Sequence, residues 1–136
     1  MSTSDKSTTI VETNYGAVEG FFEDGIRKWF GIPYAAPPVG ELRFKRSVSP
    51  EPWQGVKPCK EMGPRPYQFG PEGGIMSKMD TGHPVSEDCL FANVWAPREA
   101  EKAPVFIWIY GGANHTGEAS MPNYQLHSFA QNGVVG

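Results

Sequence analysis

The apolar pattern of the chain is most pronounced in residues 105–110, a run of six large apolar or aromatic side chains with no polar residue among them. A strand with one solvent-exposed face would alternate apolar and polar positions. An unbroken run predicts instead a strand buried on both faces, as in the middle of a mostly parallel sheet. The rest of the chain is interpreted around this predicted central strand.

The central strand leads directly into Gly111, Gly112 and Ala113. Paired glycines allow positive φ and a close approach of the backbone to whatever lies beyond the strand. Consecutive N–H groups in such a turn can converge on one point and hold a developing negative charge. Taken alone, the segment fits an ordinary tight turn after a core strand equally well.

After a polar N-terminal segment, the first part of the chain consists of short β-prone runs. Residues 8–12 and 17–22 are predicted strands joined by a turn at 13–16, and residues 26–32 form a third predicted strand. Together they predict an antiparallel meander. Residues 50–85 have little periodicity and read as a long loop region, of a length that is usually functional or disordered in compact domains.

The second half of the chain contains clearer elements. Residues 86–97 alternate in character and end at a proline, which predicts a strand. Residues 123–132 carry apolar side chains at helical spacing, and Gly133 ends this predicted helix. Residues 134–136 predict the start of another buried strand.

Composition narrows the class of protein. The chain has 136 residues, a net charge of −3, sixteen glycines, thirteen prolines and two cysteines. The mild negative charge argues against a nucleic-acid or anionic-membrane partner, and no apolar run is long enough to span a membrane. The N-terminus has no apolar core of a secretory signal, so the sequence predicts a cytoplasmic protein with reduced thiols.

Three segments carry distinctive motifs. They are Gly-Ile-Pro-Tyr-Ala, Pro-Pro-Val-Gly and Leu-Arg-Phe within residues 31–44, Ser-Glu-Asp-Cys-Leu within residues 86–97, and Gly-Gly-Ala within residues 104–117. In their order and spacing these segments resemble the type-B carboxylesterase family, which includes cholinesterases and bacterial esterases. The resemblance spans the chain from about residue 9 to its end.

This resemblance implies a fold and a domain organisation. It predicts an α/β class chain, the N-terminal segment of an α/β-hydrolase fold, in which an antiparallel meander leads into the central, mostly parallel sheet. Residues 1–8 are predicted to form a flexible tail, and residues 9–136 the N-terminal portion of the domain. The fold is expected to be incomplete without downstream sequence.

The resemblance also implies a role for two backbone groups. In this family the second and third small residues of the glycine loop donate N–H groups to the oxyanion of the tetrahedral intermediate; here they are Gly112 and Ala113. The family's nucleophile lies in a Gly-x-Ser-x-Gly elbow, and the acid and histidine follow it. No such pentapeptide occurs in the 136 residues, so His83, His115 and His127 are not expected to act as triad members.

Three further residues match family positions. Arg43 and Glu87 correspond to a structural ion pair that would join the Pro-rich loop to the later strand. Cys89 corresponds to one half of a disulfide in secreted members, but its usual partner would fall near Pro66, where there is no cysteine. Cys59 and Cys89 are therefore both expected to be free.

The predicted function is the N-terminal portion of a serine carboxylesterase that hydrolyses carboxylic esters. Its expected partners are a small-molecule ester and a complementary C-terminal chain, with no metal or organic cofactor. The chain alone is predicted to be inactive, because it lacks the triad. The alternative is a catalytically inactive binding protein on the same fold, or an orphan truncated fragment.

Overall fold

The computed structural model describes residues 9–68, 81–113 and 116–136. Within these three ranges the regular structure consists of six strands and one short α-helix, with single turns of 3₁₀ helix at Gly40–Leu42 and Pro122–Tyr124. These elements are β1 (Ile10–Thr13), β2 (Gly16–Glu19), β3 (Phe21–Glu23), β4 (Ile26–Pro33), β5 (Val56–Pro58), β6 (Phe91–Pro97) and α1 (His127–Gln131).

The first sheet has the strand order β1-β2-β5. β1 and β2 form an antiparallel hairpin, and the Thr13 hydroxyl closes its turn by donating to the Gly16 carbonyl at 2.8 Å and accepting from the Tyr15 N–H at 3.1 Å. β5 pairs in parallel with β2. Since β5 lies within residues 50–85, the prediction of an irregular loop across that whole region was wrong.

The second sheet has the order β3-β4-β6, with all pairs antiparallel. The meander predicted from residues 8–32 has the expected antiparallel pairs β1–β2 and β3–β4, but it is divided between two sheets, because β2 and β3 belong to different sheets. The chain changes sheet at Gly20, where a Cβ atom would lie 2.1 Å from the Lys28 carbonyl oxygen. Only glycine permits this close crossing.

β6 is the strand predicted in residues 86–97, and it pairs with β4 along most of its length. The register shifts between Trp29 and Ile32, at an irregularity that contains Gly31 with φ of +68°. The Asn93 side chain accepts a hydrogen bond from the Gly31 N–H at 3.0 Å across this irregularity. A local departure from regular pairing is thus stabilised from the opposite strand.

Two small hydrophobic cores are associated with this sheet. One contains the buried residues Val18, Trp29, Cys59 and Ala96. The other contains Ile26, Trp95 and Ala130, so α1 contributes to it through a single alanine. Trp29 and Ile26, and likewise Ala96 and Trp95, belong to different cores because side chains alternate between the two faces of a strand.

Residues 105–110 were predicted as a strand buried on both faces, and the burial prediction was wrong for the described structure. Phe106 stacks on Phe129 with ring centroids 4.5 Å apart, which covers part of one face. Ile107 and Ile109 on the other face are 78% and 85% exposed. Within the described residues, a single parallel bridge from Val105 to Val135 is the only strand-like pairing of this segment.

The predicted helix over residues 123–132 is shorter in the structure. A 3₁₀ turn occupies Pro122–Tyr124, and α1 begins only at His127 and ends at Gln131. Residues 134–136 do begin a strand-like segment, since Val135 bridges to Val105 and Gly136 exchanges two hydrogen bonds with Trp95. Gly133, with φ of +84°, separates this segment from the helix.

The predicted flexible tail, residues 1–8, lies outside the described residues. In the part that the structure describes, no helix is long and apolar enough to cross a membrane.

Candidate functional site

The segment from Gly111 to Gly117 is called the glycine loop here. Its backbone conformation requires a glycine at position 112. Gly112 has φ of +147° and Ala113 has φ of +53°. A Cβ atom at Gly112 would lie 1.7 Å from the Thr116 carbonyl oxygen, so no other residue fits there without movement of the backbone. At Ala113 the left-handed conformation of a non-glycine residue costs about 1 kcal/mol, which the surrounding loop has to offset.

Hydrogen bonds fold this loop back on itself. The backbone N–H and the hydroxyl of Thr116 both donate to the Gly112 carbonyl, at 3.0 and 3.1 Å. The carbonyl of Gly112 is thereby engaged within the turn. In the described part of the chain, the N–H groups of Gly112 and Ala113 have no acceptor, which leaves them available to a ligand.

The far end of the loop is held by Gln68. Its side-chain amide accepts from the Gly117 N–H at 2.8 Å and donates to the Gly117 carbonyl at 3.2 Å. A Cβ atom at Gly117 would lie 2.7 Å from the Gly111 carbonyl oxygen, so the two ends of the loop also lie against each other. Sequence reasoning missed Gln68, because nothing in its local sequence indicates a contact 49 residues away.

Gly112 and Ala113 lie in the wall of a cleft of about 330 Å³. The rest of the wall is formed by the two ends of the glycine loop and by the segment that contains Gln68. The residues that line the cleft are Pro66, Tyr67, Gln68, Tyr110, Gly111, Gly112, Ala113, Thr116 and Gly117. Two unengaged N–H groups in a concave wall are suited to hold an oxyanion. The structure therefore brings the two sequence-predicted donors to one concave surface.

Tyr110 and Pro66 line both this cleft and a smaller cavity of about 60 Å³. Burial, and secondly the neighbouring Cys89 thiol, raise the pKa of the Tyr110 phenol above its ordinary value. Burial likewise raises the pKa of Tyr34, which lines the smaller cavity. Both phenols remain protonated donors at neutral pH.

A buried polar cluster lies directly after the loop. Glu118 is 4% exposed, and its carboxylate accepts hydrogen bonds from the hydroxyls of Thr81, at 2.8 Å, and Ser120. Thr81 and Ser120 are also within 3.4 Å of each other. Sequence analysis did not select Glu118, because an acid in a Gly- and Ser-rich segment is usually exposed.

Arg43 and Glu87 meet in the structure, with Nε and Oε1 2.5 Å apart. Their side chains are 56% and 38% exposed, so the contact is a partly solvated ion pair. Neither residue lines the 330 Å³ cleft. Their contact joins the turn at Gly40–Leu42 to the segment before β6.

Among the residues that the structure describes, no histidine or cysteine lines the cleft. His83 and His127 do not line it, and His115 lies outside the described residues. Cys59 is a buried free thiol and Cys89 a partly buried one. Across residues 9–68, 81–113 and 116–136, no group of three His, Cys, Asp or Glu side chains is arranged to hold a metal ion.

Comparison with known proteins gives consistent matches. A model of the protein family described as "Carboxylesterase family" matches residues 7–135. The chain is 44% identical over 131 residues to para-nitrobenzyl esterase of Bacillus subtilis (strain 168), covering 93% of this chain and 26% of that protein. It is 38% identical over 128 residues to gut esterase 1 of Caenorhabditis elegans, covering 93% of this chain and 22% of that protein.

Solved structures give the same result at the level of the fold. A structure of PNB esterase superposes with a TM-score of 0.85 at 44% identity, covering 94% of this chain and 26% of the other. The chain thus spans about a quarter of the length of the relatives that it matches.

Proposed function

Because this chain belongs to the Carboxylesterase family, we propose that it is the N-terminal portion of a serine carboxylesterase that hydrolyses small-molecule carboxylic esters. The relatives that carry the match are named esterases, and the fold is the N-terminal segment of an α/β-hydrolase. Residues 9–136 would form one part of a single domain. The two free thiols, Cys59 and Cys89, are compatible with a reducing, cytoplasmic setting.

The observation that carries the proposal is the conformation of the glycine loop. Gly112 and Ala113 each have positive φ, and both lie in the wall of the 330 Å³ cleft. Within the described residues their N–H groups have no acceptor. In the proposed reaction these two groups would stabilise the negative oxygen of the tetrahedral intermediate.

The covalent chemistry has to come from other residues. No Gly-x-Ser-x-Gly elbow occurs in the 136 residues, so the nucleophilic serine, the acid and the histidine would have to come from residues outside them, such as those of a complementary C-terminal chain. Acyl transfer to that serine would form a C–O bond and release the alcohol. Water would then release the acid and regenerate the serine.

Arg43 and Glu87 have a structural role in this proposal. Their ion pair would hold the Pro-rich segment of residues 33–44 against the segment that precedes β6. Because both side chains are partly exposed, a pair of this kind contributes at most about 1 kcal/mol. It would support the fold without taking part in the reaction.

The test is complementation. This chain is mixed with a second chain that contains the rest of para-nitrobenzyl esterase, downstream of the region that the two proteins share. Turnover of a p-nitrophenyl ester is measured in the mixture and in each chain alone. We expect turnover only in the mixture, and none when the serine of the added chain is replaced by alanine.

The donor role is tested in the same mixture by replacing the Ala113 amide with an ester, through lactic acid at position 113. This removes the N–H and keeps the side chain, and kcat should fall by about 100- to 1,000-fold. The same replacement at Ala100, which does not line the cleft, is the control. If the two chains bind each other tightly without turnover, the alternative of an inactive binding protein is favoured. An unchanged kcat after the replacement at position 113 would contradict the donor role of Ala113.

A further inference from the structure

Glu118 is a buried acid held by hydroxyl groups. The residue is 4% exposed. Oxygen Oε2 of its carboxylate accepts hydrogen bonds from the hydroxyls of Thr81, at 2.8 Å, and Ser120. A carboxylate that leaves water needs such donors, because an unsatisfied buried charge is unfavourable. These two hydroxyls therefore support the burial of the acid.

The two hydroxyl donors come from different distances along the chain. Ser120 lies two residues after Glu118 and orients the carboxylate locally. Thr81 lies 37 residues before Glu118, so its hydrogen bond joins two segments that are distant in sequence. The hydroxyl oxygens of Thr81 and Ser120 are also 3.4 Å apart, which makes the three side chains one cluster. Through this cluster Glu118 is attached to the segment that contains Thr81.

The end of the glycine loop is thereby attached at two adjacent residues. Gly117 exchanges two hydrogen bonds with the side chain of Gln68. Glu118, the next residue, accepts the hydrogen bond from Thr81. Attachments at two successive residues fix both the position and the direction of the backbone, whereas a single attachment leaves it free to turn about that point. Glu118 therefore supplies a constraint that Gln68 alone does not.

The two segments that make these attachments are themselves paired. Arg65 donates its N–H to the Pro84 carbonyl at 2.9 Å, and Ser86 donates its N–H to the Arg65 carbonyl at 3.0 Å. These bonds form a parallel bridge, which makes the segments of Gln68 and Thr81 parts of one framework. The end of the glycine loop is thus held by a single paired body rather than by two independent segments.

Thr116 connects this attachment to the candidate donors. It directly precedes Gly117, and its N–H and hydroxyl both donate to the Gly112 carbonyl, at 3.0 and 3.1 Å. The loop has little room for independent adjustment, since a Cβ atom at Gly117 would lie 2.7 Å from the Gly111 carbonyl oxygen. A displacement of residues 117–118 would therefore displace Gly112 as well.

We propose that Glu118 is a positioning residue of the candidate active site: its hydrogen bond with Thr81 fixes the end of the glycine loop, and thereby the direction of the Gly112 and Ala113 N–H groups. Glu118 lines the smaller cavity of about 60 Å³ and not the 330 Å³ cleft, so it acts through the loop and does not touch the substrate. This inference deepens the proposed function and rests on it only for the catalytic readout.

Two substitutions at Thr81 test the role in the full chain. Thr81→Val removes the hydroxyl and keeps the shape of the side chain, whereas Thr81→Ser keeps the hydroxyl. Exchange of two loop amides, those of Thr116 and Gly117, is measured by NMR, since both are hydrogen-bonded at the loop. It should be about 10-fold faster in the valine variant and unchanged in the serine variant. Two framework amides of the β4–β6 pair, those of Trp29 and Val94, should be unchanged in both.

Glu118→Gln keeps the proposal testable if the valine variant does not fold. It keeps the shape of the side chain and one acceptor, but it removes the charge that strengthens both hydrogen bonds. The loop amides should therefore exchange faster, by a smaller factor. Glu51→Gln, at an exposed loop position, is the matched control and should change neither loop amide. Unchanged loop amides in both Thr81→Val and Glu118→Gln would overturn the proposal, and so would equal acceleration of the framework amides, which indicates a general loss of stability.

The catalytic readout uses the mixture of this chain with the complementary chain. Thr81→Val should lower kcat by about 10-fold with little change in KM, because displaced donors weaken binding of the transition state more than binding of the substrate. Thr81→Ser should restore kcat. A raised KM with an unchanged kcat would contradict the positioning role. If the mixture with the unaltered chain has no turnover, the proposed function fails, whereas exchange of the loop amides still decides the role of Glu118.

Discussion

The side chain of Gln68 and the backbone of Gly117 are joined by two reciprocal hydrogen bonds, of 2.8 and 3.2 Å. An amide side chain offers one acceptor and one donor in fixed geometry, which matches the N–H and C=O groups of a single residue. The contact fixes the point at which the glycine loop returns to the body of the chain. The position of Gly112 and Ala113 therefore depends on a residue far from them in sequence.

Replacing Gln68 by alanine should release this end of the loop. Two neutral hydrogen bonds of this kind contribute about 1–3 kcal/mol together, so exchange of the Gly117 amide should accelerate by about 10-fold or more. Amide exchange measured by NMR is the readout. Gln54→Ala, at an exposed loop position, is the control and should leave that amide unchanged. Equal exchange in both variants would contradict the role of Gln68.

Two adjacent glycines should respond very differently to the same substitution. Gly112→Ala would place a Cβ atom 1.7 Å from the Thr116 carbonyl oxygen, whereas a Cβ atom at Gly111 meets nothing within 4 Å. The Gly112 variant should therefore distort the loop and expose the Thr116 amide, and Gly111→Ala should not. The chemical shift and exchange rate of the Thr116 N–H distinguish the two. Similar spectra for both variants would mean that the loop adopts another conformation.

The Arg43–Glu87 pair should contribute little stability. Both side chains are partly exposed, so solvent screens their attraction and the coupling free energy should be about 0.2–1 kcal/mol. A double-mutant cycle with Arg43→Gln and Glu87→Gln, followed by urea unfolding, measures it. The coupling should decrease at 1 M salt. A coupling above about 3 kcal/mol, or one independent of salt, would contradict a screened surface pair.

The two cysteines should react slowly with alkylating reagents until the pH is high. Burial raises the pKa of both thiols above the ordinary value of 9.0, and at Cys89 the nearby Asp88 and Glu87 carboxylates add to the effect. The thiolate is the reactive form. In the folded chain the pH of half-maximal iodoacetamide reactivity should therefore exceed that of the same thiols in urea.

The same shifts have a consequence for stability. Below pH 9 the thiols are protonated in both the folded and the unfolded chain, so they add no pH dependence. As pH rises past 9 the unfolded chain loses these protons first, and the free energy of unfolding should fall.

In the iodoacetamide experiment, mass spectrometry of the labelled peptides distinguishes Cys59 from Cys89. A half-maximal pH at or below the urea value for Cys59 would contradict its burial.

The 136-residue chain alone should not hydrolyse a p-nitrophenyl ester above the buffer rate. It contains no Gly-x-Ser-x-Gly elbow, and loss of the nucleophile in triad enzymes lowers kcat by about six orders of magnitude. Purified chain is incubated with the ester and, separately, with a serine-reactive phosphonate. Turnover together with covalent labelling would contradict the prediction and require a nucleophile within these residues.

Local sequence was sufficient for the first hairpin and for the family. The hairpin of β1 and β2 follows from a Thr-Asn-Tyr-Gly turn between two β-prone runs, because turn chemistry acts over four residues. The motifs around Gly31, Glu87 and Gly112 were sufficient to indicate the carboxylesterase family. Each of these signals is contained in a short continuous segment.

The partition of strands between two sheets was not readable from sequence. The β-prone run of residues 17–22 predicts one strand, yet Gly20 divides it between two sheets, because the Lys28 carbonyl and the Trp29 ring leave no room for a side chain. Whether such a glycine breaks or continues a strand depends on what lies across from it. That neighbour is eight or nine positions away and is set by the packing of β4.

The two residues that we propose as oxyanion donors were selected from sequence, but the groups that hold their loop were not. Gly112 and Ala113 are recognisable in a three-residue motif, whereas the Gln68 contact and the burial of Glu118 depend on chain segments brought together by folding. The apolar run of residues 105–110 was visible in sequence, and its exposed face was not. Apolar character determines that a strand needs cover, and only the tertiary arrangement decides which face receives it.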